Sequence, residues 1–461
     1  MVSKKEYCGI FGISDHELAV QLTYLGLYSL QHRGEESCGI AVHDGKKIRQ
    51  VLGMGLVPEV LTKDTLKTLK GRTAIGHVRY STTGSSIIKN AQPFLINHHK
   101  ASVSIGHNGN LTNAVVLRRS LEKQGSIFQT TMDSEIVLHL LVRSKKENIE
   151  DRLAEALQQI EGSYSMVILS NDKILGVRDP HGFRPLCLGK VDGSYVLASE
   201  TCTLDLIGAE FVREIEPGEI VTISKNSIKS IKPFKKTPTS NCIFEFIYFA
   251  RPDSRIFNDS VYMVRERLGM KLAEEFPVPD ADMVISIPDS GNYAALGYSK
   301  KSGIPFEFGM IRNHYVGRTF IKPSQEMRDH GVKIKLNPIK DVLYGKKIVV
   351  VEDSIVRRTT TESRIKTLRE AGAKEIHMRI SCPPIKFPCF YGIDFPSRKE
   401  LIANNLSVEK TADFIGVDSL KYLSIEGMMD AVSPQKGFCL ACFNGNYPTK
   451  INLKKGKCSL G

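Results

Sequence analysis

The sequence predicts two halves of different fold class, an α+β first half built on antiparallel sheets and an α/β second half built on a parallel sheet. From residue 8 to about residue 222, short apolar runs alternate with glycine, as in "GSYSMVILSND" and "GSYVLASE". That pattern is typical of many strands with few helices. In the second half, apolar runs alternate with helical stretches, which indicates βα units on a parallel sheet. The basic run 224–240, which contains Pro233 and Pro238, is predicted to be the linker.

The individual elements follow from the same patterns. In the first half, amphipathic spacing predicts helices at 134–143 and 150–160. In the second half, the apolar runs predict strands at 282–288, 347–354 and 375–381, with helices near 260–275 and 359–371. Since a parallel sheet binds its ligands at the carboxyl ends of its strands, those strand ends are where we expect a site.

Composition and net charge limit the number of domains and the kinds of partner that this chain can have. The 461 residues are 41% hydrophobic, enough for two or three domains. The net charge of +13 is interpreted as a lysine-rich surface, because the basic segments 224–236 and 449–457 contain no interleaved aromatic residues of the kind that stack on single strands. No nucleic-acid partner is therefore predicted.

The chain also lacks the apolar segments that a membrane or secreted protein would need. "MVSKKEY" has no apolar core of a signal peptide, and no run of about 18 uncharged apolar residues occurs, so we predict a cytoplasmic protein with no membrane partner. The 10 cysteines are spread along the chain, which in a reducing compartment favours metal binding, catalysis or burial over disulfides.

The segment "VVVEDSIVRRTTT" (349–361) places two carboxylates, Glu352 and Asp353, at the end of an apolar strand and in front of a helix. Carboxylates there can hold a sugar diol, and the backbone amides at a helix start can hold a phosphate. The alternative is a buried strand that meets a helix capped by Ser or Thr. The pattern alone leaves both open.

This segment resembles the phosphoribosyl-pyrophosphate (PRPP) loop of type I phosphoribosyltransferases. The resemblance implies that PRPP is bound by six residues: Glu352, Asp353, Ser354, Arg357, Thr359 and Thr360. It also implies Mg²⁺, which prefers carboxylates and substrate oxygens, and the predicted ligands are Ser290 of "IPDSG", Glu352 and Asp353. The polar segment 312–325 is a candidate mobile cover, in which Arg312, Arg318 and Lys322 would neutralise phosphates.

Cys8, in "EYCGIFGIS", is the candidate nucleophile of the first half. If residues 1–7 are removed as a propeptide, Cys8 carries an α-amine with a pKa near 8, so base and thiol sit on one residue. The alternative is that Cys8 is a small buried hydrophobic residue.

Five motifs in order, "CGIFGI", "LQHRGEES", "GHVRYSTTG", "GHNGNL" and "TTMDSE", resemble the glutamine amidotransferases of the N-terminal-nucleophile class. The resemblance implies an αββα glutaminase domain with Cys8 as nucleophile. Arg79 would bind the α-carboxylate of glutamine and Asp133 its α-ammonium group. Asn108 and the backbone N–H of Gly109 would form the oxyanion hole.

Over residues 8 to about 448, the chain is similar to the glutamine PRPP amidotransferases, on the further evidence of "YFARPDS", "RNHYVGRTFIKPSQ" and "PCFYGIDF". The implied domains are a propeptide 1–7, a glutaminase domain 8–235, a phosphoribosyltransferase domain 236–445 and a basic tail 446–461. The implied reaction converts glutamine, PRPP and water to 5-phosphoribosylamine, glutamate and pyrophosphate, the first committed step of purine synthesis.

The competing interpretation is a catalytically silent regulator of the same fold that binds PRPP or a nucleotide. Nearly every polar residue of the family pattern is present, which argues against this interpretation. Two departures keep it open: Glu352 stands where the family usually has Asp, and Arg358 stands where it usually has Gly. The resemblance further implies a homotetramer that purine nucleotides inhibit.

Cys439 and Cys442 of "FCLACF" have a spacing that suits zinc, an iron–sulfur cluster or redox chemistry. Resemblance to the iron–sulfur branch of the glutamine PRPP amidotransferases implies a [4Fe–4S] cluster whose other two ligands are Cys242 and Cys389, which match the ligand positions of that branch. Cys382 is the second-ranked candidate for a ligand, and buried thiols without metal are the alternative.

Overall fold

The structure is a computed structural model, and it describes residues 8–80, 86–98, 101–225, 227–313, 336–356, 358–393, 395, 398–433 and 436–451. The predicted propeptide 1–7, most of the predicted cover and most of the basic tail lie outside these residues. None of the helices that the described residues form is both long and apolar enough to cross a lipid bilayer.

The first half contains two antiparallel sheets, as the sequence predicts. Their strands are β1 Gly9–Ile13, β2 Ser37–His43, β3 Ile48–Met54, β4 Thr73–Arg79, β5 Phe94–His98, β6 Ala101–Leu111, β7 Gly162–Ser170, β8 Lys173–Arg178, β9 Cys187–Val191, β10 Ser194–Ala198, β11 Glu210–Glu214, β12 Ile220–Ser224 and β13 Ser227–Ile231. The seven-stranded sheet has the order β11-β9-β10-β1-β4-β2-β3, and the six-stranded sheet has the order β13-β12-β8-β7-β6-β5.

Helices cover the outer face of each sheet, so this half has four layers in the order α, β, β, α. The sequence of strand β7 is apolar without interruption because both of its faces are buried. Met166 and Ile168 pack in the cluster beneath the outer helices, while Val167 and Leu169 pack between the two sheets. The α-helices of this half are Ala19–Ser29, Val57–Val60, Lys63–Lys67, Ala114–Lys123, Ser134–Arg143, Ile149–Leu157 and Thr201–Leu206. The predicted αββα fold class is therefore confirmed.

The second half has a four-stranded parallel sheet in the order β17-β20-β21-β22, which confirms the predicted α/β class. The strands of the whole second half, including those outside this sheet, are β14 Asn241–Cys242, β15 Arg255–Ile256, β16 Asp259–Ser260, β17 Met283–Ser286, β18 Met310–Arg312, β19 Leu336–Pro338, β20 Lys347–Glu352, β21 Glu375–Ile380, β22 Ser419–Tyr422 and β23 Phe438–Cys439. Its α-helices are Val261–Glu275, Asn292–Ser302, Lys340–Leu343, Arg358–Glu370, Ile402–Asn405, Val408–Ile415, Ile425–Asp430 and Ala441–Asn444.

Two of these helices, Val261–Glu275 and Asn292–Ser302, approach each other closely because glycine lies at their contact. A Cβ on Gly269 would lie 1.8 Å from the carbonyl oxygen of Ala294, and a Cβ on Gly297 would lie 1.9 Å from that of Glu266. The backbones therefore touch. This contact fixes the helix that follows the "IPDSG" segment.

The segment that links the two halves is shorter than the basic run 224–240 that was predicted to form it. Within the basic run 224–240, residues Ser227–Ile231 form β13, which pairs antiparallel with β12 at the edge of the six-stranded sheet. A polar strand of this kind fits an edge position, since charged side chains there discourage pairing with another chain. The domain boundary at 235/236 stays a prediction.

Candidate active sites

Cys8 lies at the start of β1, where it is 8% exposed. The antiparallel register of β1 with β4 places Gly9 opposite Val78, so the preceding Cys8 lies beside the end of β4 at Arg79. The Cys8 Sγ is 3.9 Å from the carbonyl oxygen of Tyr80. Burial raises the pKa of the thiol to about 11. The thiol is therefore protonated at neutral pH and needs a base before it can act as a nucleophile.

The charges that act on the Cys8 thiol are those of Arg79, Glu36 and Asp133. Arg79 is 2% exposed and donates a hydrogen bond to the carboxylate of Glu36. Asp133 accepts a hydrogen bond of 2.8 Å from the backbone N–H of Leu111. A thiol, a guanidinium and a carboxylate thus lie close enough in this buried region for their charges to interact.

His107 holds Asp133 in this pocket. Its Nδ1 lies 3.4 Å from Asp133 Oδ1. Burial alone would raise the pKa of Asp133, but the charge and hydrogen bond of His107 outweigh it and lower that pKa. Asp133 is therefore a carboxylate, the form that can bind an ammonium group.

Asn108 and Gly109 lie together on β6. Asn108 is fully buried, and no described residue makes a hydrogen bond to either polar atom of its side-chain amide. Gly109 has φ +151°, and a Cβ there would lie 2.0 Å from the carbonyl oxygen of Ser163, so only glycine fits. A buried amide without an internal partner is costly unless a ligand completes it.

The backbone N–H of Gly109 faces the side of β6 that lacks a partner strand. The neighbouring N–H groups two residues away donate to side chains on that side, His107 to Gln92 Oε1 at 2.8 Å and Leu111 to Asp133 Oδ2 at 2.8 Å. Because N–H directions alternate along a strand, the N–H of Gly109 points the same way, toward the pocket that holds Asp133.

In the second half, the parallel pairing of β17 with β20 brings the segments after both strands together. Ser286 pairs with Val351, and Ile287 donates a backbone hydrogen bond of 3.0 Å to Val351. The hydroxyl of Ser290 donates to Asp353 Oδ2. The predicted Mg²⁺ ligands Ser290 and Asp353 are therefore in direct contact.

Glu352, Asp353 and Ser354 are buried at this strand end, each 2% exposed or less. Ser354 donates to Asp353 Oδ1, and Arg364 of the following helix forms an ion pair with Glu352. The longer Glu side chain thus reaches into the helix that follows the loop. A short cluster of hydroxyls and carboxylates results, at the place where a parallel sheet binds ligands.

The remaining predicted PRPP residues surround the start of the helix Arg358–Glu370. Arg357 lies outside the described residues, as do the side chains of Thr359 and Thr360. Arg358 is the first residue of this helix, so its backbone is helical with a negative φ. That agrees with an L-residue in place of the glycine usual in the family.

Asp289 of "IPDSG" forms an ion pair of 2.7 Å with Arg312. Arg312 ends β18 and is the first residue of the predicted cover. Arg318 and Lys322 of that cover lie outside the described residues. Of the three cations predicted to neutralise phosphates, Arg312 is placed beside the strand-end segment.

The four cysteines predicted as cluster ligands line one apolar cavity. Cys242 and Cys439 are paired residues of the parallel strands β14 and β23. Cys389 and Cys442 complete the lining of the cavity, which also includes Phe183, Ile243, Phe244, Tyr391, Ile393 and Ala441.

The cysteines around this cavity act on one another. Burial, with a smaller contribution from the nearby Cys389, raises the pKa of Cys242 to about 11. Burial and the neighbouring cysteines also raise the pKa of Cys439 and of Cys442. Cys382 is fully buried beside Pro383 but does not line the cavity. Within the described ranges, no group of three or more His, Cys, Asp or Glu side chains is spaced to hold a single metal ion.

A buried ionic network joins the two halves next to Cys8. Arg33 donates from Nε to the Cys8 carbonyl oxygen at 3.0 Å, and its two terminal nitrogens contact Glu245 at 3.0 and 2.8 Å. Arg33 also pairs with Glu200, which accepts from the Arg251 backbone N–H at 2.8 Å. Burial opposes the charge of Arg33, yet Glu245 and Glu200 raise its pKa.

Several of these site residues were not predicted individually from the sequence. Arg33 and Glu36 stand inside the quoted motif "LQHRGEES", and His107 stands inside "GHNGNL", so the motifs contained the signal. Glu245 and Arg364 had none, because nothing in their local sequence indicates which distant charge they contact.

The chain is similar to known proteins along its length. A family model for a "Glutamine amidotransferase domain" matches residues 77–205. The chain is 50% identical over 98% of its length to amidophosphoribosyltransferase 1, chloroplastic, of Arabidopsis thaliana, and covers 81% of that protein. It is 48% identical to the amidophosphoribosyltransferase of Methanocaldococcus jannaschii, with 97% of this chain and 99% of the relative covered.

A solved structure is similar to this chain as well. Glutamine PRPP amidotransferase from B. subtilis, complexed with ADP and GMP, superposes with a TM-score of 0.92 at 46% identity and covers 97% of this chain and 98% of its own. The similarity therefore extends over both halves.

Proposed function

Since the chain belongs to the amidophosphoribosyltransferase family, we propose that its two halves divide the family's reaction between a glutamine site at Cys8 and a PRPP site at Asp353. The enzyme converts glutamine, PRPP and water to 5-phosphoribosylamine, glutamate and pyrophosphate, the first committed step of purine biosynthesis. The observation that carries the assignment of the glutamine site is the buried Cys8 thiol under the charges of Arg79 and Asp133. No comparison favours a silent regulator.

In the glutamine site, Arg79 binds the α-carboxylate of the substrate and Asp133 its α-ammonium group. The Cys8 thiolate attacks the side-chain amide carbon, and the carbonyl oxygen takes up negative charge. The Asn108 amide and the Gly109 N–H stabilise that oxyanion. Collapse of the intermediate expels ammonia and leaves a thioester on Cys8, which water hydrolyses to glutamate.

The base in this step is the α-amine of Cys8, exposed when residues 1–7 are removed. The thiol needs one, because burial raises its pKa to about 11, whereas an α-amine titrates near 8. Intact-mass measurement of active enzyme should give a chain that begins at Cys8. Active enzyme that still carries residues 1–7 would refute this role.

In the PRPP site, Glu352 and Asp353 bind the ribose hydroxyls, and the turn after Ser354, with Arg357, Thr359 and Thr360, binds the 5′-phosphate. Ser290, Glu352 and Asp353 are hard oxygen donors that fit Mg²⁺, and the contact between Ser290 and Asp353 supports this assignment. When bound, Mg²⁺ neutralises charge on the departing pyrophosphate. Ammonia from the glutamine site passes inside the protein to C1 of PRPP.

Cys242, Cys389, Cys439 and Cys442 hold a [4Fe–4S] cluster in this proposal. The supporting observation is that these thiols surround one apolar cavity and that burial and the neighbouring cysteines raise the pKa of Cys242, Cys439 and Cys442, so a positive centre is needed to stabilise them as thiolates. A cluster presents a separate iron to each cysteine, which suits thiols arranged around a cavity. When bound, it ties β14, β23 and the segment at Cys389 together.

Three further expectations come from the family resemblance. Purine nucleotides inhibit the enzyme, in line with the nucleotide complex of the B. subtilis relative. The enzyme is a homotetramer, and it works in the cytoplasm. Each of these is a proposal that nucleotide titration, sedimentation and cell fractionation test in turn.

The deciding experiment is Cys8→Ala. Synthesis of 5-phosphoribosylamine from glutamine should be lost, while synthesis from added ammonia should continue, because the PRPP site has its own residues. Cys38→Ala, at another buried cysteine of the same domain, is the control and should keep both activities. Glutamine-dependent synthesis by folded Cys8→Ala would overturn the proposed function.

A further inference from the structure

One edge of the oxyanion strand is held by the second domain. Strand β6 pairs with β7 from Val103 to Leu111, but its pairing with β5 ends at Ile105. Beyond Ile105 the other edge of β6, toward which the Gly109 N–H points, has no partner strand among the described residues. Side chains and a distant segment hold this edge instead.

That distant segment is 389–392, which begins at the predicted cluster ligand Cys389. Asn110 donates a hydrogen bond of 2.8 Å from Nδ2 to the carbonyl oxygen of Phe390. The backbones also touch: Gly392 has φ +105°, and a Cβ there would lie 3.1 Å from the carbonyl carbon of Gly109. The residue beside the oxyanion hole therefore rests against the segment that carries a cysteine of the cavity.

The segment 389–392 is itself fixed from several sides. The Tyr391 N–H donates to Cys389 Sγ at 3.3 Å, and the Tyr391 ring stacks on Phe183 with centroids 4.2 Å apart. The fully buried Arg184 donates to the Tyr391 carbonyl oxygen and pairs with Glu245 at 3.2 Å. This segment is therefore a rigid support for strand β6, which it contacts at Gly109 and Asn110.

The position of Asn108 depends on such a support. Its side-chain amide has no hydrogen bond to any described residue, so its place is set by the backbone of β6. A shift of that backbone would displace both proposed oxyanion donors together. Displacement by about 1 Å is enough to reduce catalysis substantially.

We propose that Asn110 is a positioning residue for glutamine hydrolysis, which holds the oxyanion donors in place by its hydrogen bond to Phe390 in the cysteine-bearing segment. The inference rests on the proposed function, since it takes Asn108 and Gly109 as those donors. In this proposal, the segment 389–392 borders both the cysteine cavity and the glutamine site.

The test is Asn110→Asp, which keeps the shape of the side chain but replaces the donor by a carboxylate. The kcat for glutamine-dependent synthesis should fall about tenfold, less than the loss of a whole oxyanion donor. The KM for glutamine should stay within about twofold, because Arg79 and Asp133 bind the substrate separately. The rate with added ammonia should be unchanged.

A second readout does not need turnover. The glutamine analogue 6-diazo-5-oxo-L-norleucine forms a bond from Cys8 Sγ to its diazo carbon, which takes up a proton and loses N₂, with its ketone oxygen in the oxyanion position. Its maximal labelling rate, followed by intact mass, should fall about tenfold in the variant, parallel to kcat. Labelling by iodoacetamide, whose reaction does not need those donors, should not change.

Asn113→Asp is the matched control. Asn113 donates a hydrogen bond of 2.8 Å from Nδ2 to the carbonyl oxygen of Gln159, inside its own domain. It should behave as wild type in both readouts. Asn110→Ala, which removes the donor without adding charge, is measured alongside in case the Asp variant does not fold.

An unchanged maximal labelling rate in a folded Asn110 variant would overturn the proposal, as would an equal loss in Asn113→Asp. A loss of ammonia-dependent synthesis equal to the loss with glutamine would also overturn it. These outcomes are separate from failure of the proposed function, which Cys8→Ala reports through glutamine use in an otherwise unaltered chain.

Discussion

At the scale of single residues, burial and hydrogen-bond partners together decide the ionisation of the groups around Cys8. The same pocket contains a thiol with a raised pKa and a carboxylate, Asp133, with a lowered one. The difference arises because Asp133 has a histidine and a backbone N–H as partners, whereas the thiol has the carbonyl oxygen of Tyr80. A buried acid is ionised where its neighbours stabilise the charge.

His77 allows a test of this effect on stability. Burial lowers its pKa to about 3, although it contacts the His107 carbonyl oxygen at 3.0 Å. The unfolded chain takes up a proton near pH 6.5 and the folded chain does not, so this contribution to stability is complete above pH 6.5 and is lost as the pH falls toward 3.

In His77→Gln, the decline in the free energy of unfolding between pH 7.5 and pH 5 should be smaller than in wild type by about 2 kcal/mol. Urea unfolding at the two pH values measures it. His43→Gln, at a half-buried position of the same sheet, is the control. An identical pH dependence in wild type and His77→Gln would show that His77 is not held neutral.

Asp353 tests the division of labour between the two sites. Asp353→Asn removes the charge that contacts Ser290 and Ser354. PRPP-dependent synthesis should fall by about a hundredfold or more, the scale of losing a charged ligand contact, while basal glutamine hydrolysis changes little. Steady-state assays of the two half-reactions decide it. Equal losses in both would indicate a folding defect instead.

At the scale of elements, each site forms where two segments distant in sequence end side by side. The proposed PRPP site lies where the parallel strands β17 and β20 end together, and the cysteine cavity lies where the two-residue strands β14 and β23 pair. Strands as short as β14 and β23 contribute little stability of their own. We infer that the cysteine ligation stabilises this part of the fold.

Cysteine substitutions test that inference. Cys389→Ser should prevent cluster assembly, since Cys389 lines the cavity, whereas Cys382→Ser should not, since Cys382 lies outside it. Purified wild type should be brown and contain about four irons per chain. Iron analysis and visible absorbance of the anaerobically purified variants measure the outcome.

Thermal unfolding should follow the iron content, with Cys389→Ser melting below both wild type and Cys382→Ser. A colourless wild type that contains one zinc would refute the cluster. Iron loss in Cys382→Ser alone would show that the ligand set is wrong.

At the scale of the whole molecule, buried charges connect the two domains. Arg33 binds the Cys8 carbonyl oxygen on one side and Glu245 on the other. Glu245 begins the π-helix Glu245–Phe249, and Arg265 donates to the carbonyl oxygens of Phe246 and Ala250 in and after that helix. The charge of Asp353 in turn acts on Arg265. Buried charges and hydrogen bonds thus extend from Cys8 to Arg265, whose charge interacts with that of Asp353.

Glu245→Gln should therefore destabilise the protein by about 3–5 kcal/mol, because it removes a charge that Arg33 and Arg184 both need in a buried place. The measurement is the free energy of unfolding in urea. Asp64→Asn, which breaks the exposed pair with Lys67, is the control and should cost about 0.5 kcal/mol or less. An equal, small effect of both substitutions would show that the interdomain network contributes nothing to stability.

The local sequence was sufficient to predict the two fold classes, most of the long elements and the residues that carry chemistry. Periodicity is a local property, so "VVVEDSIVRRTTT" indicated a strand, an acid pair and a helix start without reference to the rest of the chain. The glutaminase motifs likewise each lie within a few residues, and the structure places Cys8, Arg79, Asn108, Gly109 and Asp133 together in the first domain.

Only the tertiary structure decided which distant residues meet. The contact of Asn110 with Phe390 joins positions 280 residues apart, and that of Arg33 with Glu245 joins positions 212 apart. No local pattern specifies such pairs, because they depend on how the two domains dock. The same holds for edge strand β13, whose polar sequence indicated a linker, and which forms because β12 offers it an unpaired edge. Residue types set the chemistry that is available here, and packing sets which groups act together.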